Sequence, residues 1–222
     1  MNQAQRRSKL AHAHLYGIVD FGYVSPDSVA EVTQQLLTGG ADVIQLRAKG
    51  VAIDQVIHAA KTILPLCKSA GIPFILNDYP EIAVELGADG VHIGQDDGSI
   101  YEVRRTIGEE MLLGRSTHSL DQAKQALTDG ADYIGFGPLF PTPTKAGRPA
   151  IGLEEVSKME NEVGQHLPAF CIGGIKMDNL QEVLNAGARR CVIVSQILTA
   201  VDINQATCEV RKIIAINAIA PN

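Results

Sequence analysis

The chain of 222 residues predicts an α/β fold, a (β/α)8 barrel of the TIM type, on three observations. A phrase recurs as GGADVIQLR at 39–47, GADGVHIG at 87–94, GADYIGFG at 130–137 and GARRCVIVS at 187–195, each a helix-ending glycine followed by a short strand. Between these lie LYGIVD at 15–20, PFILND at 73–78, MLLGRS at 111–116 and AFCIGG at 169–174, which brings the strand candidates to eight. The length leaves about 28 residues for each strand–helix unit, enough for a barrel with few insertions. The chain therefore reads as a single barrel domain over 1–222, with 1–13 as a flexible N-terminal extension.

The segments between the strands carry helix signals in the same order. Ser28 with Glu31, Ser119 with Gln122 and Asp178 with Gln181 have the spacing of a capping box or its Asp variant. Over 54–70, Asp54 stands where a cap belongs, Val56, Ile57, Ala60, Ile63, Leu64 and Cys67 follow helical spacing, and Pro65 introduces a kink. Gly71, Gly87, Gly130 and Gly187 mark helix ends. Strands that are apolar on both faces and alternate with helices pair in parallel. The competing open doubly wound sheet lacks a G-x-G-x-x-G fingerprint after its first strand. The C-terminal INAIAPN reads as a frayed end.

Composition narrows the function. With 45% hydrophobic and 20% charged residues the chain can bury a sizeable core, and a net charge of −6 argues against nucleic acid or an anionic membrane surface as partner. No run of apolar residues is long enough to span a membrane, and the N-terminus lacks the apolar stretch of a signal peptide. Cys67, Cys171, Cys191 and Cys208 show no metal-like spacing and read as reduced residues. The expected setting is cytoplasmic, with small-molecule partners and room for a homo-oligomer.

In such a barrel, chemistry gathers at the carboxyl ends of the strands. Strand two ends in Gln45, Arg47 and Lys49, strand three in Asn77 and Asp78, strand four in Gln95, Asp96 and Asp97, and strand five in Ser116 and His118. Strand six runs into a long irregular loop through Thr142, Pro143, Thr144 and Lys145, a candidate lid, while strands seven and eight end in Gly173-Gly174 and Ser195. Arg47, Lys49 and Lys145 form a local cation cluster suited to a phosphate or diphosphate. Asp78 and Asp97 are hard oxygen ligands suited to Mg2+ bridging to phosphate oxygens. The loops after strands seven and eight are where many barrels hold a further phosphate on backbone amides. Asp96 reads as a turn former, His92 as a hydrogen-bonded core histidine, and His118 as either a rim group or a loop hydrogen-bonding residue.

The phrases IQLRAKG at 44–50, ILNDY at 75–79, GVHIGQDD at 90–97, GFGPLFPTPTK at 135–145, CIGGI at 171–175 and VIVSQI at 192–197 resemble the thiamine-phosphate synthase family, in order from about Leu15 to about Ile197. The resemblance implies a transferase of thiamine biosynthesis. It would join 4-amino-2-methyl-5-(diphosphooxymethyl)pyrimidine to a thiazole phosphate with Mg2+, giving thiamine phosphate and pyrophosphate. By position it assigns Gln45, Leu46, Arg47, Ala48, Lys49, Asn77, Ser116 and Lys145 to the pyrimidine diphosphate, with Arg47, Lys49, Ser116 and Lys145 catalytic. It assigns Asp78 and Asp97 to the metal, and Thr142, Pro143, Thr144, Gly174, Val194 and Ser195 to the thiazole phosphate. It further implies a pyrimidine-methyl cation captured by the thiazole nitrogen, so no protein nucleophile is expected.

Two alternatives stay in view. A thiazole tautomerase shares the barrel, but that relative resembles a chain without the Asn-Asp corner and with a histidine where this one has Pro138. A phosphate-binding barrel without catalysis predicts binding without turnover.

Overall fold

The computed structural model describes residues 1–142 and 149–219. Its strands β1 (Leu15–Asp20), β2 (Val43–Arg47), β3 (Phe74–Asn77), β4 (Gly90–Ile93), β5 (Leu112–Thr117), β6 (Tyr133–Phe136), β7 (Ala169–Ile172) and β8 (Cys191–Val192) pair in chain order and close into a parallel barrel. Closure comes from Leu15 and Tyr16 of β1 standing beside Cys191 and Val192 of β8. Between strands run α2 (Val29–Thr38), α3 (Ile53–Ala70), α4 (Pro80–Leu86), α5 (Ile100–Ile107), α6 (Leu120–Thr128), α7 (Val156–Glu162), α8 (Leu180–Asn185) and the short α9 (Ser195–Leu198), with α10 (Ile203–Ile219) last.

Alternation along each strand divides the apolar residues into two cores. Leu46, Leu76, Val91, Ile134 and Cys171 face outward beneath the helices. Tyr16, Ile18, Val43, Ile75, Leu112, Tyr133, Phe170 and Val192 fill the barrel interior. The four cysteines are all free thiols, three of them buried and Cys208 half-buried. Among the described residues no helix is long and apolar enough to cross a membrane.

The recurring Gly-Ala-Asp phrase acquires a physical meaning at the amino end of the barrel. Gly87, Gly130 and Gly187 adopt left-handed φ values of 70°, 86° and 106°, which turn the chain from helix to strand. Where an aspartate follows, as in three of the four phrases, it latches the neighbouring strand. Asp42 accepts from the His14 and Leu15 amides at 2.8 and 3.0 Å, Asp89 from the Phe74 amide at 3.1 Å, and Asp132 from the Leu113 amide at 2.9 Å. Arginines neutralise the same carboxylates, with Arg104 2.8 Å from Asp132 and Arg211 3.3 Å from Asp42.

Several expectations from sequence are corrected. Residues 1–13 are not a frayed extension: helix α1 (Gln3–Ala11) carries an Asn2–Gln5 capping box and seats Leu10 and Ala13 in the interior core. Its Arg6 and Arg7 reach Asp89 and Asp132 at 2.9 and 3.0 Å. The reason is that Leu10 and Ala13 bury against the interior core at its amino end, and burying Leu10 contributes about 1.5–3 kcal/mol. The C-terminal segment is likewise helical through Ile219. Ala52, rather than Asp54, caps α3, and Asp54 lies in its first turn. Ser28 and Asn179 precede α2 and α8 without a side-chain cap bond, whereas Ser119 accepts from Gln122 as expected. A full capping box that the sequence reading did not single out joins Ser99 and Glu102 at α5.

Candidate active site

The polar residues converge at the carboxyl ends of the strands, where β1 to β5 supply side chains and β6 to β8 supply mainly backbone. Along β2, Gln45 and Arg47 turn into the barrel mouth, while Leu46 and Ala48 bury their side chains in the outer core. Any part played by Leu46 and Ala48 in binding therefore falls to their backbone. Arg47 makes two 3.0 Å hydrogen bonds to the two oxygens of Asp20, the last residue of β1. Asp20 is 1% exposed and also accepts from the Gly22 amide, so it holds the guanidinium in one orientation.

Beyond β3 and β4 two carboxylates meet. Asp78 sits at a φ of 72°, a left-handed conformation that costs a non-glycine residue energy and turns its side chain toward Lys49, whose Nζ lies 2.9 Å away. Asp97 folds back to accept from the Gly94 amide at 2.8 Å, and a Cβ on Gly94 would come within 2.7 Å of that carboxylate. The two carboxyl groups interact directly and their titrations diverge. Burial raises Asp78 above the usual carboxylate range, Lys49 opposes the rise, and Asp97 adds to it. Burial pushes Asp97 upward too, but the Gly94 amide, Asp78, Lys49 and Arg115 together outweigh it and hold Asp97 low. Arg115 straps this loop from β5, donating to the Gly98 and Gln95 carbonyls at 2.7 and 3.3 Å.

A cavity of about 530 Å³ opens inside this rim, lined by Gln45, Arg47, Asn77, His92, Ser116 and the aromatic rings of Tyr16, Tyr133 and Phe170. Asn77, only 7% exposed, has no hydrogen-bond partner for its side chain among the described residues. At the cavity floor, the Tyr16 hydroxyl donates to Gln45 Oε1 at 3.0 Å and lies 2.9 Å from the Tyr133 hydroxyl. His92 Nδ1 is 3.2 Å from Tyr133 Oη, and its Nε2 is 3.0 Å from Ser116 Oγ. His92 is therefore hydrogen-bonded, as expected, but it also faces the cavity. Gly114 makes the room: a Cβ there would fall 2.1 Å from the Tyr133 ring and 2.5 Å from His92 Nδ1.

A second cavity of about 430 Å³ adjoins the first and shares Ile172, Val192 and Val194 with it. Pro138, Thr142, Gly173, Gly174 and Ser195 complete its wall. Gly173 and Gly174 take φ values of 101° and 65°, and added Cβ atoms would meet Pro138 Cα at 2.4 Å and Pro141 O at 2.8 Å. Only glycines let this turn pass beneath the 138–141 segment. His118 Nδ1 bonds the Gly137 carbonyl and so serves that segment. Pro143, Thr144 and Lys145 lie outside the described residues, as does most of the expected lid.

Comparison with known proteins supplies the family of the chain that carries these two adjoining cavities. A family model described as thiamine monophosphate synthase matches residues 15–197. The chain belongs to that family. It is 44% identical over 188 residues to the thiamine-phosphate synthase of Thermus thermophilus, covering 85% of this chain and 90% of that one. The Lawsonia intracellularis thiamine-phosphate synthase is 43% identical over 203 residues, covering 91% and 93%. The solved thiamine phosphate pyrophosphorylase of Pyrococcus furiosus superposes with a TM-score of 0.83 at 34% identity, covering 95% of this chain and 98% of that one. Membership makes the chain a transferase of thiamine biosynthesis. Three residues that the sequence reading did not single out now stand out in this synthase-family site: Asp20, Tyr16 and Tyr133. Asp20 ends β1 and was accessible to the strand-end rule used for the other strands.

Proposed function

We propose that the chain joins an aminopyrimidine-methyl diphosphate in the first cavity to a thiazole phosphate in the second, releasing pyrophosphate. The observation that carries this reading is the shared wall of Ile172, Val192 and Val194, which sets two cavities side by side, with the cationic Arg47 lining only the first among the described residues.

The donor set at the first rim fits a magnesium ion. Asp78 and Asp97 offer hard oxygens from two loops, and the Lys49 ammonium already rests against Asp78. Among the described residues no third His, Cys, Asp or Glu joins them, a sparse donor set of the kind magnesium accepts alongside water. Asp78 and Asp97 would hold such an ion, which would supply charge neutralisation to the departing diphosphate.

The chain's own residues do the rest. Arg47, oriented by Asp20, and Lys49 hold the diphosphate and stabilise the charge that builds on it as the carbon–oxygen bond breaks. Lys145, by position in the family pattern, adds a third cation. Gln45, Asn77 and Ser116 orient the pyrimidine ring over the Tyr16–Tyr133–Phe170 floor. The resulting pyrimidine-methyl cation is held next to the shared apolar wall, where the thiazole nitrogen captures it. Gly174, Val194 and Ser195 take the thiazole phosphate on backbone amides and the Ser195 hydroxyl, joined by Thr142 and, by family position, Pro143 and Thr144. In the first turn of α9 the Ile197 amide is bonded to the Val194 carbonyl, whereas the Ser195 and Gln196 amides have no backbone partner among the described residues and are available for this. Alignment of two bound substrates supplies much of the rate.

The test is pyrophosphate release by the purified full chain with both substrates and magnesium, repeated with each component omitted. Release only in the full mixture, with thiamine phosphate formed, is expected. Isomerisation of the thiazole phosphate without condensation, or binding without turnover, would overturn the reading.

A further inference from the structure

The floor of the first cavity contains a chain of hydrogen bonds whose direction can be worked out from its end. Gln45 Oε1 can only accept, so the Tyr16 proton is committed to it. Tyr16 must then accept from Tyr133 across their 2.9 Å contact. With its own proton so used, Tyr133 accepts from His92 Nδ1–H, and the bare Nε2 of His92 accepts from Ser116. We propose that Tyr16 and Tyr133 are positioning residues that set the donor–acceptor polarity of the pyrimidine site, holding the Gln45 amide with its NH2 toward the cavity so that it reads a ring nitrogen beside an exocyclic amino group.

Reversing the Gln45 amide gives the arrangement of opposite polarity. If Gln45 were turned over, its NH2 would donate to Tyr16, every later bond would reverse, and the cavity would be offered a carbonyl instead. That arrangement would select an oxo-pyrimidine, whose ring N–H donates. Tyr16 and Tyr133 are fully enclosed, and burial raises both phenols well above their ordinary range, so both protons stay in the chain. Gly114 is part of the same device, since any side chain there would displace Tyr133 from His92. Neither tyrosine carries a signal in the sequence, because an aromatic within a strand reads as core.

This inference rests on the proposed pyrimidine site, and the experiment separates the two. Calorimetry on the full chain measures binding of 4-amino-2-methylpyrimidine-5-methyl phosphate and of its 4-oxo analogue, beside pyrophosphate release with the natural pair. The wild-type chain is expected to prefer the amino probe by at least about tenfold, since a site built to hydrogen-bond one group leaves that group unpaired against the wrong ligand. Tyr16→Phe should bring the two affinities within about threefold and raise KM for the aminopyrimidine more than it lowers kcat. Gln45→Glu, which offers the cavity an oxygen whichever way it turns, should reverse the preference. A Tyr16→Phe chain that melts like wild type and keeps the full amino preference would overturn the proposal. If Tyr16→Phe fails to fold, Gln45→Glu decides, and retention of the amino preference there overturns it. Pyrophosphate release intact alongside either of those results would remove the polarity chain and leave the function standing. A wild-type chain that binds neither probe and releases no pyrophosphate would remove both.

Discussion

At the amino end of the barrel charges are matched: Arg6, Arg7, Arg104 and Arg211 meet Asp89, Asp132 and Asp42, and those carboxylates also tie down the strand starts. At the carboxyl end, Asp78 and Asp97 crowd one another, Asp78 is held in a left-handed conformation, and the Asn77 amide is buried without a partner among the described residues. One end is built for stability, and the other spends stability on a site, as expected where a barrel separates the two tasks between its faces. The contrast has a departure at β8, where GARR replaces the aspartate of the other phrases. There Glu160 Oε1 accepts from the Arg189 amide at 3.2 Å, while Glu160 Oε2 and the Nε and Nη1 of Arg190 are buried without hydrogen-bond partners among the described residues.

The largest expected effect breaks the carboxyl end alone. Asp78→Asn keeps the size of the side chain and tolerates the left-handed conformation, but removes a negative charge from the metal-binding pair. Pyrophosphate release at fixed magnesium should fall by about 10³-fold, in the range seen when one electrostatic element at a leaving group is lost. The melting temperature should stay at or above wild type, because a carboxyl whose pKa is raised by burial destabilises the fold when charged at neutral pH. A large drop in melting temperature with activity retained would erase the distinction between the two ends. The second effect is the mirror image. Leu10→Ala empties the plug of the interior core and should cost about 3 kcal/mol in denaturant unfolding while kcat/KM for the surviving folded protein is unchanged. Loss of activity in proportion to stability would mean that the plug shapes the site.

The two ends were not equally legible in the sequence. All eight strands could be read, because a recurring glycine-led phrase marks four of them and short apolar runs between those mark the other four. The charged rim residues could be read as well, since Arg47, Lys49, Asp78 and Asp97 come directly after apolar runs. What was hidden depends on register and on partners distant in sequence. Which of Gln45 and Leu46 faces the cavity is a matter of alternation, and the resemblance that marked 45–49 as one segment does not resolve it. Tyr16 meets Tyr133 across 117 positions, so no local pattern reports the pair. Helix α1 escaped because its nine residues are mostly polar and its role rests on one buried leucine. The Gly-Ala-Asp phrase was visible, but its function as a latch between strands was not.

A smaller effect separates the two halves of the carboxyl end. Gly174→Ala places a methyl 2.7 Å from Phe140 Cβ at a residue whose φ is 65°. It should raise KM for the thiazole phosphate by about thirtyfold, roughly 2 kcal/mol at 1.4 kcal/mol per tenfold, and leave KM for the pyrimidine diphosphate within about twofold. Equal changes for both substrates would show that the glycine turn supports the whole mouth rather than one phosphate site.

The smallest effect tests whether the crowded carboxylates owe their placement to a strap rather than to their own loop. Arg115 lines neither of the two cavities described above, yet it donates to two carbonyls flanking Asp97. Burial lowers its pKa from the ordinary guanidinium value, and the nearby Asp97, Asp129 and Asp96 oppose that shift, so the cation is held by the acidic loop it orders. Arg115→Met keeps the apolar stem and removes both hydrogen bonds. If the strap fixes Asp97, the magnesium concentration for half-maximal rate should rise about tenfold, the loss typical when a group orienting a metal ligand is removed. The rate at saturating magnesium should change less than about twofold, because the ligands themselves remain. A fall in the saturated rate without a shift in magnesium dependence would instead place Arg115 among the residues that act on the substrate. With the expected shift in magnesium dependence, the amino end is not alone in using arginine to organise carboxylates, but only there is the purpose stability.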